Sequence, residues 1–281
     1  MTAHGFSQVD VFSTEPYRGN PVAVVHDAED LGEEQMAAFA RWTNLSETTF
    51  LLPARAAGAD YRLRIFTPGG ELPFAGHPTL GSAHAWLAAG GEARAADALV
   101  QECGVGLVRL RRSAEGLAFA APPLLRSGPL ADDLLARLVD ALGLDKRQVL
   151  DHQWVDNGPG WCALLLDSAQ TVLAARPDMQ RLGGSVLGLV GAHAPLADAD
   201  FEVRAFVPSL GVPEDPVTGS LNAGIAQWLI GAGHAPSRYV AAQGTALNRE
   251  GRVRIERVGD TVWVGGATRT LVSGSVTFPG L

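Results

Sequence analysis

The chain has 281 residues, 47% of them hydrophobic and 19% charged, a composition typical of a soluble globular protein with one large domain or two ordinary ones. Its formal net charge is −8 with no run of Lys or Arg, which argues against nucleic acid and anionic membranes as partners. The N-terminus lacks the pattern of a signal peptide, and no apolar run reaches the roughly 18–20 residues that span a bilayer. The two cysteines, Cys103 and Cys162, form no disulfide framework, so we expect reduced thiols in a cytoplasmic protein.

Most segments have the pattern of β-strands, with about four to eight alternating or apolar residues between turn-forming residues. In chain order the predicted strands are QVDVFS, PVAVVH, TTFLLP, DYRLRIF, ALVQEC, GLVRLR, GLAFAA, DFEVRAF, RYVAAQ, RVRIERV and TVWVGG. Four helices are predicted: EEQMAAFARWT, the segment from His77, LADDLLARLVDALGL ending at Gly143, and the segment that follows Asp215. Strands outnumber helices and do not alternate regularly with them, so we predict an α+β fold instead of a Rossmann or TIM arrangement.

The two halves of the sequence resemble each other. RIFTP at Arg64–Pro68 corresponds to RAFVP at Arg204–Pro208, 140 positions later, and an alternating strand precedes each. After a glycine-containing loop, HPTLGSAHAWL begins at His77 and DPVTGSLNAGIAQWL begins at Asp215, an offset of 138. A weaker match pairs GNPVAVVHD with GPGWCALLLD. Since strand, loop and helix start recur in order at nearly one offset, we interpret the sequence as an internal duplication.

The duplication predicts two pseudo-symmetric lobes, each a curved, mostly antiparallel sheet around one central helix. The proline-rich APPLLRSGPL favours a boundary that gives lobes at residues 1–122 and 123–281. The last strand, at about residues 270–281, is expected to return to the first lobe. The two post-motif helices are apolar nearly all round, so each is predicted to be buried.

Chemistry is predicted at the starts of these two helices. A buried helix N-terminus carries unpaired backbone N–H groups and a partial positive charge, which suits a carboxylate. In a pseudo-symmetric pair of lobes, both starts can face one cleft, with His77 and Asp215 on opposite sides of a ligand. A lone histidine in this position is more often structural, but the aspartate at the matching position favours function.

Glu47 is a third candidate. It lies in NLSETTFLL directly before an apolar strand, with Ser46 beside it. A carboxylate near an apolar core can work as both acid and base. Taken alone, a carboxylate at a strand end is more often simply solvated.

Four ordered motifs, EPYRGNPVAVV, NLSETTFLL, FTPGGELPFAGHPTLG and EDPVTGS, resemble the phenazine-biosynthesis PhzF-like isomerases over nearly the whole chain. The resemblance implies the diaminopimelate-epimerase fold and an isomerase that moves a proton on a small carboxylate without a cofactor or metal. The best-known family reaction isomerises trans-2,3-dihydro-3-hydroxyanthranilate. A homodimer is expected from the resemblance alone.

The resemblance also assigns roles to residues. It implies catalytic groups at Glu47, His77 and Asp215. It places substrate contacts on Gly76, Gly219 and Ser220, to which the neighbouring polar residues Ser46 and Thr218 are added as candidates. Epimerases of the wider fold use two cysteines at the paired helix starts, but here both cysteines lie elsewhere in the sequence. The segment LNAGIAQWL, with Asn222 and Gln227, departs from the pattern and leaves the substrate open.

Other functions remain open at this point. His77 and His84, seven residues apart, can share a helix face in a metal-dependent hydrolase, although HExxH is missing, and metal analysis would decide. A serine hydrolase lacks its GxSxG motif. A small-molecule-binding or scaffolding protein with an idle pocket has no physical need for all three acid–base residues.

Overall fold

The computed structural model describes residues 2–208 and 212–279, and the predicted strand end at 280–281 and loop residues 209–211 lie outside them. Over the described residues the chain forms 17 strands and six α-helices, a mixed α and β fold dominated by sheet. It folds into two compact units: residues up to Ala120 with those from Gly265 onward, and residues Ala121–Val264. The predicted division after residue 122, with a return near residue 270, differs from these bounds by a few residues.

The first unit contains nine strands and two helices among the described residues. They are β1 Thr2–Val11, β2 Asn20–Val25, α1 Glu33–Thr43, β3 Glu47–Leu52, β4 Tyr61–Thr67, β5 Gly70–Leu72, α2 Gly76–Ala88, β6 Ala98–Cys103, β7 Gly106–Ser113, β8 Gly116–Ala120 and β17 Thr268–Phe278. The strands β17, β1 and β2 pair antiparallel, as do β3 with β4, and β6 with β7. Strands β2 and β3, which α1 connects, pair parallel. Strands β4 and β6, which α2 separates in the sequence, also pair parallel.

Helix α2 is surrounded by the sheet of its unit. It contacts β1, β2, β3, β4, β6, β8 and β17, and nine of its residues are buried. The close approach depends on Gly81, because a Cβ built there would lie 2.4 Å from a methyl carbon of Val22. The apolar, small-residue sequence of α2 therefore explains why it occupies the centre of the unit.

The second unit contains eight strands and four helices among the described residues. They are α3 Asp132–Leu142, β9 Val149–Trp154, β10 Trp161–Leu166, α4 Ala169–Ala174, α5 Met179–Leu182, β11 Val186–Ala192, β12 Phe201–Val207, β13 Val212–Asp215, α6 Gly219–Gly231, β14 Arg238–Gln243, β15 Gly251–Val258 and β16 Thr261–Gly266. Strand β10 pairs antiparallel with β9 and parallel with β11. Strand β12 pairs antiparallel with β11 and β13 and parallel with β14, which follows α6. The predicted helix end at Gly143 is present, with φ at 65°.

Helix α6 is the counterpart of α2 within the second unit. Ten of its 13 residues are buried, and it contacts β10 and β15. Gly224 allows the backbone at Val155 to approach, since a Cβ at Gly224 would lie 2.3 Å from the Val155 carbonyl oxygen. The helix thus begins at a buried position, directly after β13.

The matching sequence motifs make matching contacts within their own units. Arg64 in β4 binds both carboxylate oxygens of Glu71 in β5, at 2.7 and 2.6 Å. Arg204 in β12 binds both oxygens of Glu214 in β13, at 2.9 and 2.8 Å. Each ion pair fixes the hairpin that leads into the central helix. No helix of the described residues is both long and apolar enough to cross a membrane.

Candidate active site

The first turn of α2 holds His77 in the interior of the first unit. His77 is the second helical residue and only 2% exposed. The N-cap, Ala75, offers no side chain to the first-turn N–H groups, and the turn contains no acidic residue. A helix start of this kind keeps its backbone donors and positive end directed at the space before the helix.

Glu47 and His77 are brought together by the sheet. Glu47 is the first residue of β3, which pairs parallel to β2 with Glu47 opposite Val22. Its Oε2 lies 3.4 Å from Nε2 of His77, and the Glu47 side chain is 14% exposed. Both atoms are buried. This distance is slightly longer than a formed hydrogen bond, as is common for catalytic pairs before the substrate binds.

Burial lowers the pKa of His77 to about 3, against the opposing effect of a hydrogen bond with the Pro21 backbone. The imidazole is therefore neutral at neutral pH, with one nitrogen donating and the other accepting. When Nδ1 accepts a hydrogen bond, Nε2 carries the proton and faces an ionised Glu47. When Nδ1 carries the proton, Nε2 is bare and Glu47 must be protonated to face it. In both arrangements one proton lies between the two side chains.

Asn20 is a site residue that the sequence analysis did not single out. It begins β2, is fully buried, and its Nδ2 lies 3.3 Å from Nδ1 of His77. Before it, the Gly19 N–H donates to Oδ2 of Asp10, a carboxylate that is 2% exposed. The signal for Asn20 in the sequence is the GNP within EPYRGNPVAVV, one of the motifs that carry the family resemblance. The three residues of GNP include no acid or base.

Buried hydroxyl and amide groups anchor α2 to its sheet. The Thr49 hydroxyl lies 2.8 Å from that of Ser82 in α2. Gln101 Nε2 donates to the hydroxyl of Thr79 in the first turn of α2, and Oε1 of Gln101 accepts from Tyr61. These contacts fix the helix start that carries His77.

In the second unit, Asp215 ends β13 and lies in a network of hydrogen bonds. The Thr218 hydroxyl donates to Oδ2 of Asp215 at 2.5 Å. Thr218 is the N-cap of α6, but its side chain makes no capping bond to the helix. Gln243, the last residue of β14, bonds to the Thr218 side chain and backbone. Thr218 therefore serves Asp215 instead of capping α6.

Polar side chains of the same unit form hydrogen bonds with the start of α6. Gly219 and Ser220 are its first two residues, and both are buried. Trp161 Nε1 donates to Oγ of Ser220 at 3.0 Å, and Asn157 Nδ2 donates to its carbonyl at 2.8 Å. The Ser220 hydroxyl keeps its own proton to donate.

The remaining predicted substrate contacts lie at the start of α2 and just before β3. Gly76 is the first residue of α2 and is buried, and Ser46 precedes β3 and is half-buried. Asn222 Nδ2 binds Gln243 Oε1 at 2.8 Å, so Asn222 belongs to the Asp215 network. Gln227 lies further along α6, where its Nε2 donates to the Pro122 carbonyl. Asn222, and not Gln227, is thus close to the candidate site.

Both cysteines are free thiols, and both lie in strands and not in the two helix starts. Cys103 ends β6, and Cys162 lies in β10, where it is buried in the core. Burial raises the pKa of Cys162 to about 12 and also raises the pKa of Cys103. Thiols of this kind stay protonated at neutral pH and are poor bases.

The ring of His84 contacts strand β17. Its two ring nitrogens lie 3.0 and 3.1 Å from the hydroxyls of Thr268 and Thr270 in β17. Within residues 2–208 and 212–279, no three His, Cys, Asp or Glu side chains are grouped as metal ligands. His84 is accounted for by its strand contacts.

The family described as "Phenazine biosynthesis-like protein" (PhzC-PhzF) matches residues 9–278. The chain belongs to this family. Antisense-enhancing sequence 1 of Schizosaccharomyces pombe is 36% identical over 98% of this chain and 99% of that protein. Trans-2,3-dihydro-3-hydroxyanthranilate isomerase of Pseudomonas aeruginosa is also 36% identical, over 92% of this chain and 93% of the enzyme. The predicted membership in the PhzF-like family is confirmed.

Solved structures confirm the predicted fold. A PhzF-family protein from Enterococcus faecalis is 25% identical, with a TM-score of 0.81 over 99% of this chain and 100% of that one. A probable proline racemase from Agrobacterium radiobacter K84 is 14% identical, with a TM-score of 0.62 over 98% and 93% of the two chains, and supports the fold alone. Family and relatives together support the prediction that this chain is an isomerase.

Proposed function

We propose that this isomerase relocates a proton on a small carboxylate substrate by acid–base catalysis, without a cofactor. The observation that carries the proposal is the contact between Nε2 of His77 and Oε2 of Glu47 at 3.4 Å. A neutral, buried imidazole beside a partly exposed carboxylate forms a pair that can hold one proton and release it.

Glu47 is the group to which we assign proton transfer at the substrate carbon. Its carboxylate removes a proton from the substrate carbon and returns a proton elsewhere on the conjugated system. His77 is the proton partner of Glu47, because its neutral ring donates with one nitrogen and accepts with the other. Asn20 contributes by holding Nδ1 of His77 at 3.3 Å.

Asp215 is the third proposed acid–base group, and its proposed role is proton transfer at a nitrogen or oxygen. The first turn of α6 is the proposed seat of the substrate carboxylate. Backbone N–H groups at Gly219 and Ser220 combine there with the positive end of a 13-residue helix. Ser46, Gly76 and Thr218 complete the proposed substrate contacts.

The first substrate to test is trans-2,3-dihydro-3-hydroxyanthranilate, because the P. aeruginosa relative named for this compound aligns with 92% of the chain. The compound fits the proposed chemistry, since it carries a carboxylate, an amine and a conjugated ring system. Antisense-enhancing sequence 1 of S. pombe, which is not named for this compound, has the same identity of 36%. Related small carboxylates are therefore tested beside trans-2,3-dihydro-3-hydroxyanthranilate.

The experiment is NMR of the purified protein with this compound in D₂O, before and after treatment with a chelator. We expect isomerisation, with solvent deuterium at the receiving carbon, to survive the chelator. Conversion that needs added metal would contradict the cofactor-free proposal and favour the metal-dependent alternative. Binding without conversion of any carboxylate would favour a small-molecule-binding protein with an idle pocket.

We also propose that the two halves arose by internal duplication. The same order of strands around α2 and α6 supports this, as do the paired contacts Arg64–Glu71 and Arg204–Glu214. Superposition of residues 1–122 on 123–270 in a crystal structure should align RIFTP with RAFVP. Helices α2 and α6 that fail to superpose would contradict the duplication.

A cytoplasmic location and a homodimer are further proposals. The first rests on two free cysteines without a disulfide, and the second on the family resemblance alone. Light scattering of the purified protein tests the dimer, which a monomer mass at all concentrations would exclude. Cell fractionation tests the location.

A further inference from the structure

Gln243 makes an unusually complete set of hydrogen bonds for a buried side chain. It is 0% exposed at the end of β14. Its Oε1 accepts from the Thr218 backbone N–H at 3.0 Å and from Asn222 at 2.8 Å. Its Nε2 donates to the Asp215 backbone carbonyl at 3.1 Å and to the Thr218 hydroxyl at 2.9 Å. All four hydrogen-bonding positions of this amide are therefore used around Asp215 and Thr218.

The backbone fixes which way this amide points. A backbone N–H can only donate, so the Gln243 atom beside the Thr218 N–H must be the oxygen. The other end is then the NH₂ group, which donates to the Thr218 hydroxyl oxygen. The hydroxyl must direct its own proton elsewhere, and Oδ2 of Asp215 lies 2.5 Å away to accept it. The three side chains form a chain of donors that runs in one direction, from Gln243 through Thr218 to Asp215.

We propose that Gln243 is a positioning residue that aims the Thr218 hydroxyl proton at Asp215 and thereby holds this carboxylate in place for proton transfer. A hydrogen bond donated to a carboxylate stabilises its charged form and restricts its rotation. The inference rests on the proposed catalytic role of Asp215, and it adds a buried residue that acts through Thr218.

The first unit supplies a matched control. Gln101 is also 0% exposed, lies in the strand that follows the central helix, and donates through Nε2 to the hydroxyl of Thr79 at 3.0 Å. Its Oε1 accepts from the Tyr61 hydroxyl, its side chain also bonds Cys103, and neither partner is an acid or base of the proposed mechanism. Replacement of either glutamine removes a buried amide from a strand–helix junction, so both replacements should destabilise the fold, Gln243→Leu the more because it also leaves two backbone groups unpaired. Only the change at Gln243 removes a support of Asp215.

The experiment compares Gln243→Leu, Thr218→Val and Thr218→Ser with Gln101→Leu and Asp215→Asn. Activity is measured with trans-2,3-dihydro-3-hydroxyanthranilate, and folding by thermal unfolding. We expect Gln243→Leu and Thr218→Val to lower kcat about 10- to 100-fold, the usual effect of losing a hydrogen bond to a charged group, with a smaller change in KM. Thr218→Ser should keep most of the activity because it keeps the donor. Gln101→Leu should also lower Tm but should lower kcat less than Gln243→Leu does, because the Gln101 amide bonds the Thr79 hydroxyl and not a support of Asp215.

Crystal structures of the wild type and Gln243→Leu supply a readout that does not depend on turnover. In the variant we expect the Thr218 hydroxyl to leave Asp215, with an oxygen–oxygen distance beyond about 3.5 Å, the outer limit of a hydrogen bond. A distance unchanged from the wild type would overturn the positioning role even if the test compound is not a substrate.

The outcomes separate this inference from the proposed function. An inactive Asp215→Asn variant beside a Gln243→Leu variant with normal kcat would overturn only the role of Gln243. An active Asp215→Asn variant would remove Asp215 from the mechanism itself. Equal loss of kcat in the Gln243 and Gln101 variants would show a merely structural role, and so would failure of Thr218→Ser to keep activity.

Discussion

Nε2 of His77 and Oε2 of Glu47, which are 30 positions apart in the sequence, face each other at 3.4 Å in the interior of the first unit. The start of α2 supplies one side chain, and the start of β3 supplies the other. Two acceptors at this distance repel each other, so the contact requires one proton between them. This relationship gives the first prediction, which concerns stability and pH.

The low pKa of His77 should make the protein sensitive to acid. The pKa is about 3 in the folded chain and ordinarily 6.5, so below pH 6.5 the unfolded state binds a proton that the native state refuses. The contribution of His77 to the free energy of unfolding is fully present above pH 6.5 and is lost as the pH falls toward 3. Between these values the free energy of unfolding should fall by about 1.4 kcal/mol per pH unit because of this residue.

The variant His77→Gln removes this contribution, because glutamine does not titrate. Urea unfolding at pH 7, 6 and 5 should show a steeper loss of stability for the wild type than for the variant. The comparison uses the slope with pH, so a general destabilisation of the variant does not affect it. Equal slopes would mean that the pKa of His77 is not lowered in the folded protein.

The two arginine–glutamate pairs should differ in strength. Side chains of Arg204 and Glu214 are 7% and 11% exposed, and those of Arg64 and Glu71 are 16% and 38% exposed. Arg204→Ala leaves a carboxylate buried without its partner, which usually costs about 3–5 kcal/mol. Arg64→Ala breaks ion pairs with Glu71 and Glu33, which are 38% and 72% exposed, and each such exposed pair is worth about 0–1 kcal/mol. Denaturant unfolding of both variants should show the larger loss for Arg204→Ala, and the opposite order would contradict this ranking.

A pair of glycines in α6 tests its packing. In Gly224→Ala the new methyl group meets the Val155 carbonyl, and we expect a loss of about 1–3 kcal/mol from this overlap. At Gly231, the last residue of the same helix, a Cβ meets nothing within 4 Å. Gly231→Ala should therefore stabilise the protein by up to about 1 kcal/mol, the propensity difference between the two residues. Thermal unfolding of both variants measures the contrast, and a stabilised Gly224→Ala protein would exclude close packing of α6 on this backbone.

The sequence predicted the features that depend on local pattern. Alternating residues marked most strands, and small apolar residues after His77 and Asp215 marked two buried helices. The family motifs also identified Glu47 and His77, which the fold brings together. These predictions work because strand alternation, helix starts and motif residues are all visible within short segments.

Contacts between distant segments were not predictable in the same way. Gln243 ends a strand whose sequence, RYVAAQ, is otherwise ordinary, and its role depends on the loop at Asp215–Thr218, about 25 positions earlier. Asn20 reaches His77 across 57 positions. The glutamate partners of Arg64 and Arg204 are not visible from the repeat either. The two arginines are 140 positions apart and the two glutamates 143, because the loop after each arginine differs in length. Side-chain partners of this kind are set by the pairing of strands, which a single sequence does not display.

The most direct test of the account is solvent exchange by Glu47→Gln. Glutamine keeps the shape of the side chain but can neither take nor give a proton, so substrate binding should survive. With trans-2,3-dihydro-3-hydroxyanthranilate, or any carboxylate that the wild type isomerises, kcat should fall roughly 10²–10⁴-fold. Deuterium from D₂O should no longer enter the substrate carbon, as followed by NMR. Near-normal turnover and deuterium incorporation in Glu47→Gln would contradict the account and leave His77 and Asp215 as the only acid–base groups of the proposal.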